Sequence, residues 1–130
     1  MPTTKIVFTN GCFDILHRGH FEILKYCKSL GRVIVGLNSD ASVKRLKGPE
    51  RPHFDQQDRL FMLQSCKYVD EVVIFEEDTP YNLIKSLGPD IIVKGGDYTP
   101  ADVVGNDIAE VKIFNYIPGY STTSILEQTK

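Results

Sequence analysis

Apolar positions along the chain switch between a strand-like and a helix-like period. Lys5 to Thr9 is a β-branched and aromatic run closed by Asn10-Gly11, which predicts a short buried strand entering a tight turn. From Gly19 to Leu30, the residues Phe21, Ile23, Leu24, Tyr26, Cys27 and Leu30 recur at helical spacing, and Gly31 stands where a helix cap belongs. Arg32 to Asn38 follows with the unbroken run Val33-Ile34-Val35-Gly36-Leu37, the pattern of a parallel strand buried on both faces. The first unit therefore reads strand, helix, strand.

The alternation continues. A polar loop carrying Lys44, Arg45, Lys47 and Arg51 leads through Pro52 to Asp55, a suitable N-cap for a second helix with Leu60, Phe61, Met62, Leu63 and Cys66. Val72 to Phe75 reads as a strand, Thr79-Pro80 opens a helix through Leu87, and Gly88-Pro89 ends it before the strand Ile91 to Val93. Val111 to Phe114 is a further short strand, and Ser121-Thr122-Thr123 caps a last helix with Ile125 and Leu126. Strands and helices in this order predict an open, mostly parallel α/β sheet, which binds ligands at the carboxyl ends of its strands.

Composition narrows the picture. The 130 residues, 42% of them hydrophobic, suit one domain without repeats or linkers. A formal net charge of -2 argues against a general nucleic-acid or membrane-surface binder, so any phosphate binding must be local. The three cysteines, Cys12, Cys27 and Cys66, have no metal-ligand spacing, and no signal segment or membrane span is visible; a reduced, cytoplasmic protein with no bound metal of its own is expected.

The residues with chemistry to offer fall in strand-to-helix loops. His17 and His20, with Gly19 between them, open the first helix, so both rings can share one side while the glycine admits a ligand close to the backbone. Imidazoles beside helix N-terminal amides suit a polyphosphate, although two histidines in a surface loop would look alike. Lys94-Gly95-Gly96-Asp97 ends a strand with the two glycines expected where backbone must approach a ligand, or in a plain turn. Gly119-Tyr120-Ser121-Thr122-Thr123 offers hydroxyls and amides at a helix start, of which simple capping explains one.

Gly-x-Phe-Asp-x-x-His-x-Gly-His directly after the first strand resembles the signature of the cytidylyltransferase-like nucleotidyltransferase superfamily. The likeness extends over Asn38 to Gly48, Arg51-Pro52, Glu76 to Pro80, Val93 to Tyr98 and Gly119 to Thr123, which together are similar to the heptose 1-phosphate adenylyltransferase domain of ADP-heptose synthesis. The resemblance implies a single domain over residues 1–130 with a Rossmann-like three-layer α/β/α fold and a five-stranded sheet. It also implies transfer of AMP from ATP, with Mg2+ carried by the nucleotide, to a sugar 1-phosphate with release of pyrophosphate.

On this likeness Cys12, Phe13, Asp14, Gly19, Gly95, Gly96, Asp97 and Gly119 to Thr123 contact the nucleotide, and His17 and His20 stabilise the α-phosphate in transfer. Lys47 is favoured over Lys44 as the phosphate-contacting cation, each being a solvated charge otherwise. Arg59 faces the phosphates, or else pairs with Asp58 on the surface. Cys12, without a base partner, is a neighbour of the chemistry and not a nucleophile. A homodimer and a sugar kinase on a separate chain are also implied.

Two departures bear on the substrate. Tyr116-Ile117-Pro118-Gly119 stands where cytidylyltransferases for glycerol 3-phosphate carry an Arg-Thr pair, which favours ATP over CTP, and the stretch Gly105 to Val111 is shorter than in the heptose family. The alternatives are thus a CTP-dependent cytidylyltransferase acting on glycerol 3-phosphate, and a catalytically idle nucleotide-binding regulatory module.

Overall fold

The computed structural model describes residues 4–96 and 99–115. Its elements run β1 (Ile6–Gly11), α1 (Arg18–Leu30), β2 (Arg32–Asn38), α2 (Asp40–Lys47), α3 (Gln56–Gln64), β3 (Glu71–Phe75), α4 (Tyr81–Leu87), β4 (Ile91–Gly95) and β5 (Glu110–Phe114), with a short 3-10 turn at Pro100–Asp102. The five strands pair in the order β3-β2-β1-β4-β5, and every pair is parallel. The expected mostly parallel sheet is thus wholly parallel among the described residues. The last helix expected from Ser121 lies outside them.

Alternation along the strands explains the two helical layers. Val7, Val33, Val35, Leu37, Ile91 and Val93 pack on one face with Ile23, Leu24 and Cys27 of α1 and Leu63 of α3. Their neighbours Phe8, Ile34 and Ile92 point the opposite way, onto Ile84 of α4 and Val103. Both faces need apolar residues, so β2 reads as a continuous apolar run and its predicted limits match the structure. Each such fully buried side chain contributes about 1.5–3 kcal/mol.

Gly31 closes α1 in extended backbone, and its place needs glycine because a Cβ there would lie 2.2 Å from the Lys5 carbonyl oxygen. That close approach lets β2 start directly beside β1, with Arg32 N–H donating to the same carbonyl at 2.8 Å.

One expectation fails. The polar stretch around Lys44 is helix α2 and not a loop. Ser39 caps it by accepting from the Ser42 amide at 3.2 Å, Asp40 sits in its first turn, and Lys44, Arg45 and Lys47 sit in its last, complementing the helix dipole. Gly48, at φ 110°, ends it. Capping and charge carry this helix, while its apolar face is thin: Val43 is buried and Leu46 is 48% exposed.

Candidate active site

The sheet order reverses at β1, since the chain runs from β1 through β2 to β3 and then returns to place β4 on the other side of β1. A crevice opens at such a switch point, beyond the carboxyl ends of the strands. It forms a cavity of about 800 Å³, walled by the Gly11 to Asp14 turn, His17, His20, Lys47, Arg51, Lys94, Gly95 and Gly96, and closed by Thr79-Pro80 and Asp102 to Val104.

The two histidines are held by a reciprocal cap. His17 Nδ1 accepts from the Gly19 amide at 3.0 Å, and His20 Nδ1 accepts from the His17 amide at 3.2 Å. A neutral imidazole whose Nδ1 accepts must carry its proton on Nε2, so both rings present an Nε2–H donor. The rings lie 4.1 Å apart between centroids, and Phe13 packs on His20 at 5.3 Å. Burial lowers the His17 pKa. Burial, followed by the neighbouring His17, takes His20 down to about 4. The Gly19 amide, expected to face a phosphate, is thus occupied by the cap.

Phe13 is 6% exposed and has a φ of 47°, the left-handed region a bulky residue rarely adopts. The residues around it hold it there. Asp14, 2% exposed, accepts from the amides of His53 at 2.7 Å and Phe54 at 3.0 Å through Oδ1, and from Arg51 Nε at 2.7 Å through Oδ2. Burial pushes its carboxyl up, but those two amides and the Arg51 charge outweigh it and hold the pKa below the usual carboxylate value. Asp14 therefore lines the cavity with both oxygens bonded to the Arg51 to Phe54 turn.

Three cations reach the wall. Lys47 and Lys44 are both exposed, but Lys47, which closes α2, lines the cavity and Lys44, one turn earlier, does not. Arg51 and Lys94 are further wall cations that the sequence reading left out of the site. Lys94 showed a signal, a basic residue at a strand end before two glycines. Arg51 showed one in the Arg51-Pro52 match, but its pairing with Asp14 across the chain was not visible there. Burial lowers the Lys94 pKa, Cys12 opposes that effect and Lys47 adds to it.

Gly96 has a φ of 99° at the turn after β4, where glycine is needed. Cys12 also lines the cavity; burial raises its thiol pKa against the lowering effect of Lys47, Arg59 and Arg51, which keeps it protonated and poorly nucleophilic. Asp97, Gly119, Tyr120, Ser121, Thr122 and Thr123 lie outside the described residues.

Arg59 corrects the sequence reading. It is 0% exposed, does not line the cavity, and pairs with Asp40 at 2.8 Å instead of Asp58. Nε and Nη1 donate to three backbone carbonyls, so the guanidinium is held beneath the site. Among the described residues, no group of three His, Cys, Asp or Glu side chains is placed to hold a metal ion, and no helix is long and apolar enough to cross a membrane.

The two lysines differ in expected effect. Lys47→Ala raises the KM for nucleotide about tenfold or more, the value of a charged hydrogen bond. Lys44→Ala leaves it within about twofold, as for a solvated charge. Steady-state kinetics on both variants check this, and equal effects would undo the choice of Lys47.

Parallel sheet, switch-point cavity and histidine-capped helix define a Rossmann-like α/β protein with its site at the carboxyl ends of the strands. Residues 8–127 match the model of the cytidylyltransferase-like family, and the chain belongs to that family. It is 61% identical over 128 residues to the bifunctional protein HldE of a Nitratiruptor species and 56% identical over 128 residues to that of Helicobacter pylori (strain Shi470). Each match covers 97% of this chain, which spans 28% of the length of these relatives.

Among solved structures, the lipopolysaccharide core biosynthesis protein from Thermoplasma volcanium superposes with a TM-score of 0.73 at 31% identity, covering 88% of this chain and 98% of that one. Pantothenate synthetase from Thermus thermophilus, at 15% identity and a TM-score of 0.63 over 98% of this chain and 66% of that one, shares the fold.

Proposed function

We propose that the chain transfers AMP from ATP to a sugar 1-phosphate, a heptose 1-phosphate in the first instance, and releases pyrophosphate. The observation that carries this reading is the reciprocal cap of His17 and His20, which leaves both rings neutral on the wall of a cavity edged by Lys47, Arg51 and Lys94. Neutral donors beside fixed cations suit charge that builds on an α-phosphate during in-line displacement. The similarity to the HldE proteins and to a lipopolysaccharide core biosynthesis protein supports a heptose acceptor.

In this reading an oxygen of the sugar phosphate attacks the α-phosphorus, a new P–O bond forms, and the bond to the bridging oxygen of the β-phosphate breaks. The magnesium complex of ATP is the substrate, so the ion arrives on the phosphates. His17 and His20 hold the non-bridging α-oxygens while the three cations balance the leaving pyrophosphate. Cys12, protonated, takes no part. The acceptor comes from a sugar kinase, whether on a separate chain or as the second function that the relatives' name bifunctional implies. The protein acts in the cytoplasm as a homodimer.

Pyrophosphate release measured with each nucleoside triphosphate, Mg2+ and either heptose 1-phosphate or glycerol 3-phosphate tests the reading. Release with ATP and heptose 1-phosphate is expected. Release with CTP and glycerol 3-phosphate alone would make the chain a cytidylyltransferase. ATP binding with no release across a broad panel of phosphorylated acceptors would make it a regulatory nucleotide-binding module.

A further inference from the structure

Arg59 lies outside the cavity, yet its guanidinium touches the segments that build the wall. Nη1 donates to the carbonyls of Cys12 and Asn38, both at 2.7 Å, Nε donates to the Phe54 carbonyl at 2.9 Å, and Nη2 meets Asp40 Oδ1 at 2.8 Å. Cys12 belongs to the turn between β1 and α1, Asn38 ends β2, and Asp40 begins α2. A side chain nowhere exposed to water thus joins three chain segments through one rigid, planar group.

The joint sits beside the left-handed residue. The Cys12 carbonyl immediately precedes Phe13, and the Asp14 carboxylate immediately follows it. Phe54 serves both sides, its amide donating to Asp14 and its carbonyl accepting from Arg59. An unfavourable φ at a large residue persists where its surroundings over-determine it, and here they do so on both flanks.

We infer that Arg59 is a positioning residue for nucleotidyl transfer: by tying Cys12, Asn38, Phe54 and Asp40 together it sets the Gly11 to Asp14 turn that leads into α1 against the end of β2 and the start of α2. The inference rests on the cavity being the transfer site proposed above. A lysine in its place carries the charge but cannot reach four acceptors in one plane, so the turn at Phe13 shifts while the core beneath it remains packed.

Three variants test this, assayed below the lowest melting temperature among them. Arg59→Lys removes the joint, and Asp40→Asn keeps an oxygen acceptor while removing the charge. Ile84→Ala truncates a fully buried residue on the opposite face of the sheet and serves as a control of comparable instability. Arg59→Lys is expected to lower kcat about 100-fold, as a misplacement near 1 Å does, and to weaken ATP affinity by calorimetry about tenfold. Ile84→Ala, at a similar Tm, keeps both within about twofold, because its cavity lies away from the site.

Asp40→Asn lowers kcat about three- to tenfold and also lowers Tm, because the buried Arg59 charge loses its partner; judged against Ile84→Ala, it decides the matter if Arg59→Lys does not fold. Wild-type kcat in the deciding variant, or a loss no larger than that of Ile84→Ala, overturns the inference. Wild-type protein that releases no pyrophosphate defeats the transfer reading by itself. ATP affinity then decides for Arg59: weakening in Arg59→Lys but not in Ile84→Ala upholds its positioning role, and equal affinity removes it.

Discussion

His17→Ala is expected to lower kcat about 10³-fold, the upper range for one preorganised donor, while costing the fold only about 0.5–2 kcal/mol as the loss of a helix cap. The two effects separate because the ring has two nitrogens: Nδ1 caps α1 at Gly19, and in the proposed reaction Nε2–H holds the α-phosphate. His17→Asn distinguishes them further, since its amide oxygen can accept from Gly19 but offers no donor at the Nε2 position. Stability should return in that variant and turnover should not. Pyrophosphate release and thermal melting read the two effects, and wild-type turnover in His17→Ala would take His17 out of the chemistry.

The same geometry sets a pH dependence. Burial keeps His17 below the ordinary imidazole value of 6.5 and, with His17 beside it, takes His20 to about 4. As pH falls from 6.5 toward 4, the unfolded chain binds protons that the folded His20 refuses, so stability declines across that window and levels off below it. Activity declines on the same side, because an imidazolium Nδ1 can no longer accept from the Gly19 or His17 amide. An acid limb centred at or above 6.5 would contradict the buried, neutral pair.

Asp14→Ala should destabilise the protein by about 3 kcal/mol, the low end for breaking a buried ion pair. The low end applies because Arg51, 20% exposed, still reaches water once its partner is gone, whereas Asp14 is 1% exposed. The amides of His53 and Phe54 also lose their acceptor. Asp14→Asn keeps an oxygen for them and should cost less. Since the folded carboxyl sits below its usual value, this contribution is present above the unfolded pKa and is lost as pH falls through the folded one. Urea melts measure the shift in midpoint at constant slope. A change below about 1 kcal/mol, or an effect confined to nucleotide KM, would mean that Asp14 serves the ligand and not the turn.

Much of this was legible along the chain because the signals are short-range. The continuous apolar run of β2 and the Asp55 cap of α3 each act within one element, and each matches the structure; Gly31 does end α1, but the approach of the Lys5 carbonyl is what requires glycine there. Helix α2 escapes the pattern because its caps and last-turn lysines look like loop chemistry, and its apolar face holds little beyond Val43. Placing the histidine motif after a first parallel strand likewise located the cavity, since sheets of this kind open there.

The sequence by itself determined the order of the strands and of the described helices other than α2, the two-faced burial of β2 and the position of His17 and His20 at the start of α1, because periodicity and capping depend on neighbours within a turn or a strand. Only the tertiary structure decided which charges meet the cavity. Asp14 finds Arg51 across 37 positions, and Arg59 finds Cys12 across 47. Burying an arginine and a carboxylate is tolerable only where distant segments supply donors and acceptors at hydrogen-bond distance, and no local pattern records that arrangement.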